Sequence, residues 1–208
     1  KTRKLGYDGK GQTIIDLKSI DSIKLRIKPD LYILEKLISF KKEISVIAIR
    51  NKNGDIKTFE PTQNLHKRGI LRETIYPARI SKNCNISAKK IAKKITKALN
   101  IVGILAIEMF VLKDDSILVN EIAPRPHNSG HWTIDACNIS QFDALVRSIF
   151  DIPIPKITYA KNCKMINLLG VNFKSYLKYL NKKNCTVYIY GKNKIKPARK
   201  MGHVNIIV

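Results

Sequence analysis

Two glutamates carry the most chemistry per residue in this chain. Glu108 and Glu121 lie inside the otherwise apolar stretches 102–112 and 117–122, in a sequence of 208 residues with only six Glu. The intervening Lys113-Asp114-Asp115-Ser116 reads as a hairpin loop. If the loop is symmetric about Asp114-Asp115, Leu112 faces Ile117, Phe110 faces Val119 and Glu108 faces Glu121. Side chains directly opposed across two strands have Cβ atoms about 4.5–5.5 Å apart, and like charges there repel. A Mg²⁺ between Glu108 and Glu121 would offset that repulsion, since hard cations take carboxylate and phosphate oxygens together. The competing reading is a slipped register or a bulge that turns one carboxylate to solvent. Asn120 either points to the other face or joins the ligands.

Donors crowd the same place. Pro124-Arg125-Pro126-His127-Asn128-Ser129-Gly130-His131 begins three residues after Glu121, stiffened by its prolines. Ordinary solvated turn chemistry is the plain alternative, but the density of donors reads as a substrate-facing loop. Near the start, Gly6, Gly9 and Gly11 alternate with Tyr7, Asp8 and Lys10, after Lys1 and Arg3. Glycines let backbone N–H groups approach an anion, and the cations add charge. The spacing is neither G-x-G-x-x-G nor the Walker pattern. By itself it fits a hairpin turn equally well; with a two-carboxylate metal site it fits a triphosphate cradle. Residues 152–208 hold 11 Lys, one Arg and no acidic residue. There Lys192, Lys194, Lys196, Arg199 and Lys200 cluster between two strands, which suits a phosphorylated ligand.

The elements that must position these groups form an α+β layout of mixed or antiparallel sheets with helices against them. The segments 13–16, 31–38 and 44–50 read as strands, and 17–27 as a weak helix ended by Pro29. Asn53-Gly54 marks a hairpin turn returning through 56–59. Residues 60–70 read as irregular and 71–80 as extended around Pro77. Ser87 is taken to cap a helix with apolar Ala88, Ile91, Ala92, Ile95, Ala98 and Leu99, its lysines forming a solvated outer face. After the 102–122 hairpin, Ser140 caps a second helix to about 150. Pro153 and Pro155 mark a boundary between a domain at 1–151 and a small one at 152–208. In the latter, 164–170, 186–190 and 203–208 read as strands and 173–180 as a short helix.

The formal net charge of +23, from 39 Lys+Arg against 16 Asp+Glu, first suggests nucleic acid. Direct counting gives 30 Lys, 33 Ile and 16 Asn but 9 Arg, a pattern that AT-rich codons alone produce. We therefore rank codon drift ahead of a basic nucleic-acid-binding module, which would also want stacking aromatics. Cys84, Cys137, Cys163 and Cys185 show no C-x-x-C pair, so neither a zinc site nor a disulfide framework follows, and reduced thiols in a cytoplasm are expected. No apolar run reaches the roughly 18 residues of a membrane span. The start at Lys1 is neither a secretory signal nor an initiator Met, and reads as a fragment or a processed chain.

Five segments, taken in order, resemble one family: KTRKLGYDGKGQ, EKLISFKKEISVIAIR, NLHKRGILRE, NEIAPRPHNSGHWTIDAC and KPARKMGH. The family is the 5-(carboxyamino)imidazole ribonucleotide synthases, ATP-grasp ligases of purine biosynthesis. The related formate-dependent glycinamide ribonucleotide transformylases, the nearest alternative, also have a P-R-P-H loop but continue differently. The resemblance implies an ATP-grasp fold with more chain ahead of Lys1, and a small C-terminal β-rich domain. It implies ATP and Mg²⁺ as cofactors, 5-aminoimidazole ribonucleotide and bicarbonate as substrates, and a homodimer, with no nucleic-acid or membrane partner. ATP would phosphorylate bicarbonate to carboxyphosphate, whose CO₂ the exocyclic amine then captures. By motif, Lys1 and the loop Gly6, Tyr7, Asp8, Gly9, Lys10, Gly11 and Gln12 correspond to nucleotide contacts. Glu35, Lys36, Leu37 and Ile38 correspond to the adenine-side hinge, Glu43 to the ribose contact, and His66 to another nucleotide position. Glu108 and Glu121 correspond to the Mg²⁺ ligands, with Asn120 beside them. Tyr7, Asp8, Arg125, His127 and Asn128 correspond to the bicarbonate and substrate side. Lys192, Arg199 and Lys200 correspond to the grip on the ribonucleotide phosphate. Lys4-Leu5 stands where the family usually has Thr-Gly, and Ala198 where it usually has Gly.

Overall fold

A computed structural model describes residues 1–4, 6, 11–16, 18, 28–160 and 162–208. The helix expected over 17–27 and the loop residues Tyr7, Asp8, Gly9 and Lys10 lie outside the described residues, Lys18 excepted. The chain divides into two units, Lys1–Ser39 with His66–Ile70, and Phe40–Leu65 with Leu71–Val208.

In the first unit the strands expected at 13–16 and 31–38 are absent as regular elements. Instead, 31–33 runs antiparallel beside 1–3: Arg3 N–H donates to the Leu31 carbonyl (2.9 Å) and Ile33 N–H to that of Lys1 (2.8 Å). With the Lys1 ammonium also donating to the Ile33 carbonyl, this ribbon of three bonds is too short to count as a sheet. Residues 13–16 have no ladder partner among the described residues.

The strands are β1 (Lys42–Arg50), β2 (Ile56–Thr58), β3 (Thr62–Lys67), β4 (Ile70–Tyr76), β5 (Gly103–Val111), β6 (Ile117–Ala123), β7 (Cys163–Leu169), β8 (Cys185–Ile189) and β9 (Lys200–Ile207). The sheet order is β6-β5-β1-β3-β4-β7-β9-β8, with β2 also on β1. β3 and β4 overturn the irregular reading of 60–70. Their turn places Arg68 and Gly69 at φ of +55° and +72°, the mirror-image turn that hairpin twist favours. β3 reads TQNLHK and lacks apolar alternation because the side it buries is polar: Thr62 and Asn64 are each 2 % exposed.

Each face of β1 and β5 has its own core, as period-2 alternation requires. Ile44, Val46, Ala48, Leu105, Ile107 and Met109 pack against helix α1 (Lys82–Ala98). Ser81 caps that helix by accepting from Cys84 N–H, so it starts two turns before Ser87. Polar residues at 82, 83, 85 and 87 hid this start, while buried Cys84 continues the stripe of Ala88 and Ala92. Lys90, Lys93, Lys94 and Lys97 are exposed as expected, but Lys89 pairs with Glu60. On the opposite face Ile47, Ile49, Ile104 and Ala106 meet Trp132, Ala136 and Ala144 from helices α2 (Thr133–Ala136) and α3 (Gln141–Ile149) and their approach. Ser140 caps α3 as expected, accepting from Asp143 N–H. The helix expected over 173–180 is a 3₁₀ segment, Gly170–Lys178, broken at Asn172, whose backbone leaves helical angles (φ −128°, ψ 25°). Among the described residues no helix is long and apolar enough to cross a membrane.

Candidate active site

The β5–β6 hairpin opposes Glu108 and Glu121, though not by the expected route. Its loop is centred on Asp114, which pairs Val111 with Ile117, Phe110 with Leu118 and Met109 with Val119. The pairings Leu112–Ile117 and Phe110–Val119 are therefore off by one. The cause is the turn: Asp115 takes φ +63°, Leu112 N–H donates to the Ser116 carbonyl, and five residues make the loop. A bulge beyond Met109 then adds one residue to β6, Asn120, and the ladder resumes with Glu108 opposite Glu121, Ile107 opposite Ile122 and Ala106 opposite Ala123. The bulge restores the carboxylate pairing instead of breaking it.

Register extends the site into a row. Ser45 on β1 pairs with Glu108 on one side and with Thr62 on the other. Thr62, Ser45, Glu108 and Glu121 thus cross four strands on the face that carries Trp132 and α3. Glu43 sits two residues along, paired with Phe110 and Asn64. Ser45 is 1 % exposed. A hydroxyl in the middle of Glu-Ile-Ser-Val-Ile-Ala-Ile was a legible signal that the sequence reading passed over.

The loop 124–131 folds back over this row. His127 Nε2 lies 3.8 Å from Glu108 Oε1. Ser129 Oγ is 2.8 Å from His127 Nδ1 and 2.8 Å from Ser45 Oγ. Gln141, at the start of α3, clamps the loop: its Oε1 accepts from His127 N–H (2.9 Å) and its Nε2 donates to the His127 carbonyl (2.8 Å). Gln141 was not anticipated. Asn128 Nδ2 is buried without a hydrogen-bond partner among the described residues. The Arg125 guanidinium is exposed and, among the described residues, donates to the Pro126 carbonyl alone.

The donor set fits a hard divalent cation. Glu121 makes no hydrogen bond or ion pair to a described residue, so no Lys or Arg neutralises it where it opposes Glu108. Among the described residues no group of three His, Cys, Asp or Glu is placed to hold a metal ion by itself. Two carboxylates and the Asn120 amide suit Mg²⁺, which keeps water or phosphate oxygens in its remaining positions.

In the first unit, Lys1 and Glu35 are joined by a 2.9 Å ion pair. Gly11, at φ +75°, accepts from Thr2 N–H. Gly6, Gln12, Glu35, Lys36 and Leu37 are exposed, while Ile38 and His66 are half-buried.

The C-terminal cations surround β9. Lys192 Nζ donates to the Lys200 carbonyl (2.7 Å), and Arg199 Nη1 to that of Lys194 (3.0 Å). Burial, with Arg199 and Lys200 close by, lowers the Lys192 pKa. Beneath them is a cluster the sequence did not reveal. His203 stacks between Tyr188 (4.5 Å) and His131 (4.7 Å), and Tyr190 Oη is 2.8 Å from its Nδ1. Tyr188 Oη donates to Asp135 Oδ1, and Asn205 Nδ2 to Asp135 Oδ2 and the His131 carbonyl. Burial, reinforced by Lys200, pushes the His131 pKa down to about 4. Burial and the neighbouring His131 push that of His203 to about 3.

Residues 1–142 match the ATP-grasp domain family, and 163–208 the phosphoribosylaminoimidazole carboxylase C-terminal domain family. The chain is 43% identical over 209 residues to an N5-carboxyaminoimidazole ribonucleotide synthase of Bacillus subtilis, covering 100% of this chain and 55% of that protein. An N5-carboxyaminoimidazole ribonucleotide synthetase crystallised with ADP superposes with a TM-score of 0.93 at 42% identity, covering 100% of this chain and 56% of the other. A carboxyaminoimidazole ribonucleotide synthase from Aspergillus clavatus, complexed with ATP, gives 0.92 at 33% identity and the same coverage. The chain thus spans about half the length of the relatives it matches.

Proposed function

We propose, because the chain belongs to the ATP-grasp family, that it is the catalytic part of a ligase that carboxylates 5-aminoimidazole ribonucleotide with bicarbonate at the expense of ATP. The observation that carries this reading is the directly opposed pair Glu108–Glu121 with the Pro-Arg-Pro-His loop folded over it. The names of the similar proteins supply the substrate class.

Bicarbonate is a poor donor of CO₂ until phosphorylation gives one of its oxygens a leaving group, so the site must first gather a triphosphate and an anion. Lys1, Gly6–Gln12, Glu35–Ile38, Glu43 and His66 are the proposed nucleotide contacts. Glu108 and Glu121, with Asn120, would hold Mg²⁺, which would supply positive charge to the phosphate oxygens. Arg125, His127 and Asn128 offer a guanidinium, an imidazole and an amide to the charge that develops on bicarbonate as it becomes carboxyphosphate. Tyr7 and Asp8 are the further contacts proposed for the bicarbonate and substrate side. Lys192, Arg199 and Lys200, in a small C-terminal domain at 152–208, would grip the ribonucleotide phosphate and bring the amine to the released CO₂. We further propose a cytoplasmic homodimer.

The test uses the whole protein containing this chain. ATP consumption should require Mg²⁺, bicarbonate and 5-aminoimidazole ribonucleotide together, and yield a carbamate that releases CO₂ on acidification. ATP use indifferent to the ribonucleotide, or driven instead by formate and glycinamide ribonucleotide, would overturn the assignment.

A further inference from the structure

We propose that Ser45 and Ser129 are positioning residues that hold His127 as its Nε2-protonated neutral tautomer and aim that N–H at Glu108. The inference deepens the functional reading above and rests on it only for the kinetic part of its test.

The argument is one of donors and acceptors. A backbone N–H can only donate, and that of Ser129 points at His127 Nδ1 from 3.3 Å. Nδ1 therefore presents a lone pair. The Ser129 hydroxyl lies 2.8 Å from the same nitrogen and accepts at 2.8 Å from the Ser45 hydroxyl, which commits the Ser129 proton to Nδ1. The Ser45 proton is then used on Ser129, while the Thr62 hydroxyl, 3.0 Å from Ser45 Oγ, donates to the Ser45 carbonyl at 3.5 Å. Three residues make a one-way relay of donors, Ser45 to Ser129 to His127. Two donors on Nδ1 leave the ring proton on Nε2, which faces Glu108 Oε1. The other tautomer would set an N–H against two donors and a lone pair against a carboxylate.

The relay has no evident structural purpose. Thr62, Ser45 and Ser129 are 2 %, 1 % and 0 % exposed, on a sheet face otherwise filled by Ile47, Ile49, Ile104 and Trp132. Two of these hydroxyls, those of Ser45 and Ser129, give up their hydration for bonds that end on one imidazole, where apolar side chains of the same size would pack as well. What the relay adds is direction. His127 presents a fixed N–H dipole to Glu108 Oε1 from 3.8 Å, an electrostatic contact and not a hydrogen bond. The second nitrogen of a metal-ligating histidine is commonly set this way; here the same logic acts on a carboxylate through the histidine beside it.

The experiment is two-bond ¹H–¹⁵N correlation of the imidazoles in the whole, metal-free protein, with the His127 signals identified by their loss in His127→Gln. The expected His127 pattern is a protonated Nε2 and an unprotonated Nδ1. Ser129→Ala should give a mixture of tautomers, Ser45→Ala a smaller change in the same sense, and Ser129→Thr the native pattern. In turnover, Ser129→Ala should lower kcat about tenfold, the worth of one hydrogen bond, with little change in KM for the ribonucleotide. Ser129→Thr should recover the rate. A native His127 protonated at Nδ1, or a tautomer unchanged in both Ser129→Ala and Ser45→Ala, overturns the proposal. If Ser129→Ala does not fold, Ser45→Ala carries the same reading. A native tautomer as expected in a protein that lacks the carboxylation activity would leave the relay standing and remove the functional reading instead.

Discussion

Glu121 stands across from Glu108 because β6 carries one residue more than β5 beyond Met109, and that residue is Asn120. The arrangement costs electrostatic energy in the absence of a cation, since like charges directly opposed on a sheet destabilise it by a few tenths of a kcal/mol to about 1 kcal/mol. Replacing Glu121 with Gln should therefore leave the metal-free protein at least as stable as the native one. Adding Mg²⁺ and ATP should raise the native unfolding temperature and barely move that of Glu121→Gln, because a ligand stabilises only the state that binds it. Thermal unfolding with and without Mg²⁺–ATP, measured in the whole protein, checks both. A variant that responds to the ligand like the native protein would remove Glu121 from the metal site.

The hairpin also shows what a sequence can and cannot disclose. Alternating apolar residues around two lone glutamates were enough to find both strands and the correct Glu108–Glu121 pairing. The turn centre and the bulge were not legible, and their one-residue errors cancel. A bulge depends on how β6 fits its neighbour, which no local pattern records. Helix α3 was legible because Ser140 is a strong cap with an apolar stripe after it. Strand β3 was not, because its buried side is the polar side of the site, so Thr62 and Asn64 look like loop residues. The relay through Ser45 and the stack of His131 on His203 join residues 84 and 72 positions apart, and only tertiary contact brings them together.

That stack makes stability depend on pH in a defined window. In the unfolded chain His131 and His203 take up protons near pH 6.5. In the folded chain burial holds their pKa values at about 4 and about 3. The unfolded state therefore binds more protons as pH falls below about 6.5. The stabilisation is complete above that value and is lost on acidification, by up to about 1.4 kcal/mol per pH unit for each ring. Urea unfolding at pH 7.5, 6.5 and 5.5 should show a falling midpoint. His203→Phe, which keeps a ring between Tyr188 and His131, should flatten that slope while losing the Tyr190 bond. An unchanged slope would mean that the two rings titrate normally.

Trp132 anchors the face beneath the site. It is 1 % exposed, stacks on Tyr76 at 4.3 Å and meets the edge of Phe59 at 6.4 Å. It also leads into α2, one residue after His131. Trp132→Ala should cost about 3–5 kcal/mol, from lost burial and the cavity left behind. Trp132→Phe should cost less, and denaturant midpoints read by circular dichroism distinguish the two.

Gly170 couples the C-terminal sheet to the basic loop. A Cβ added there would lie 2.0 Å from the Lys196 carbonyl oxygen, and the Gly170 N–H already donates to the Arg199 carbonyl at 2.9 Å. Because the clash is with backbone, no side-chain rotation relieves it, and the segment 195–199 must move. Gly170→Ala should therefore destabilise the protein by about 1–3 kcal/mol. It should also shift Arg199 relative to Lys192, raising KM for the ribonucleotide several-fold while KM for ATP stays near its native value, because the proposed nucleotide contacts lie in 1–66 and not in this loop. Initial rates with each substrate varied in turn separate the two constants. Equal increases in both would indicate general loosening and would detach the basic loop from the ribonucleotide phosphate.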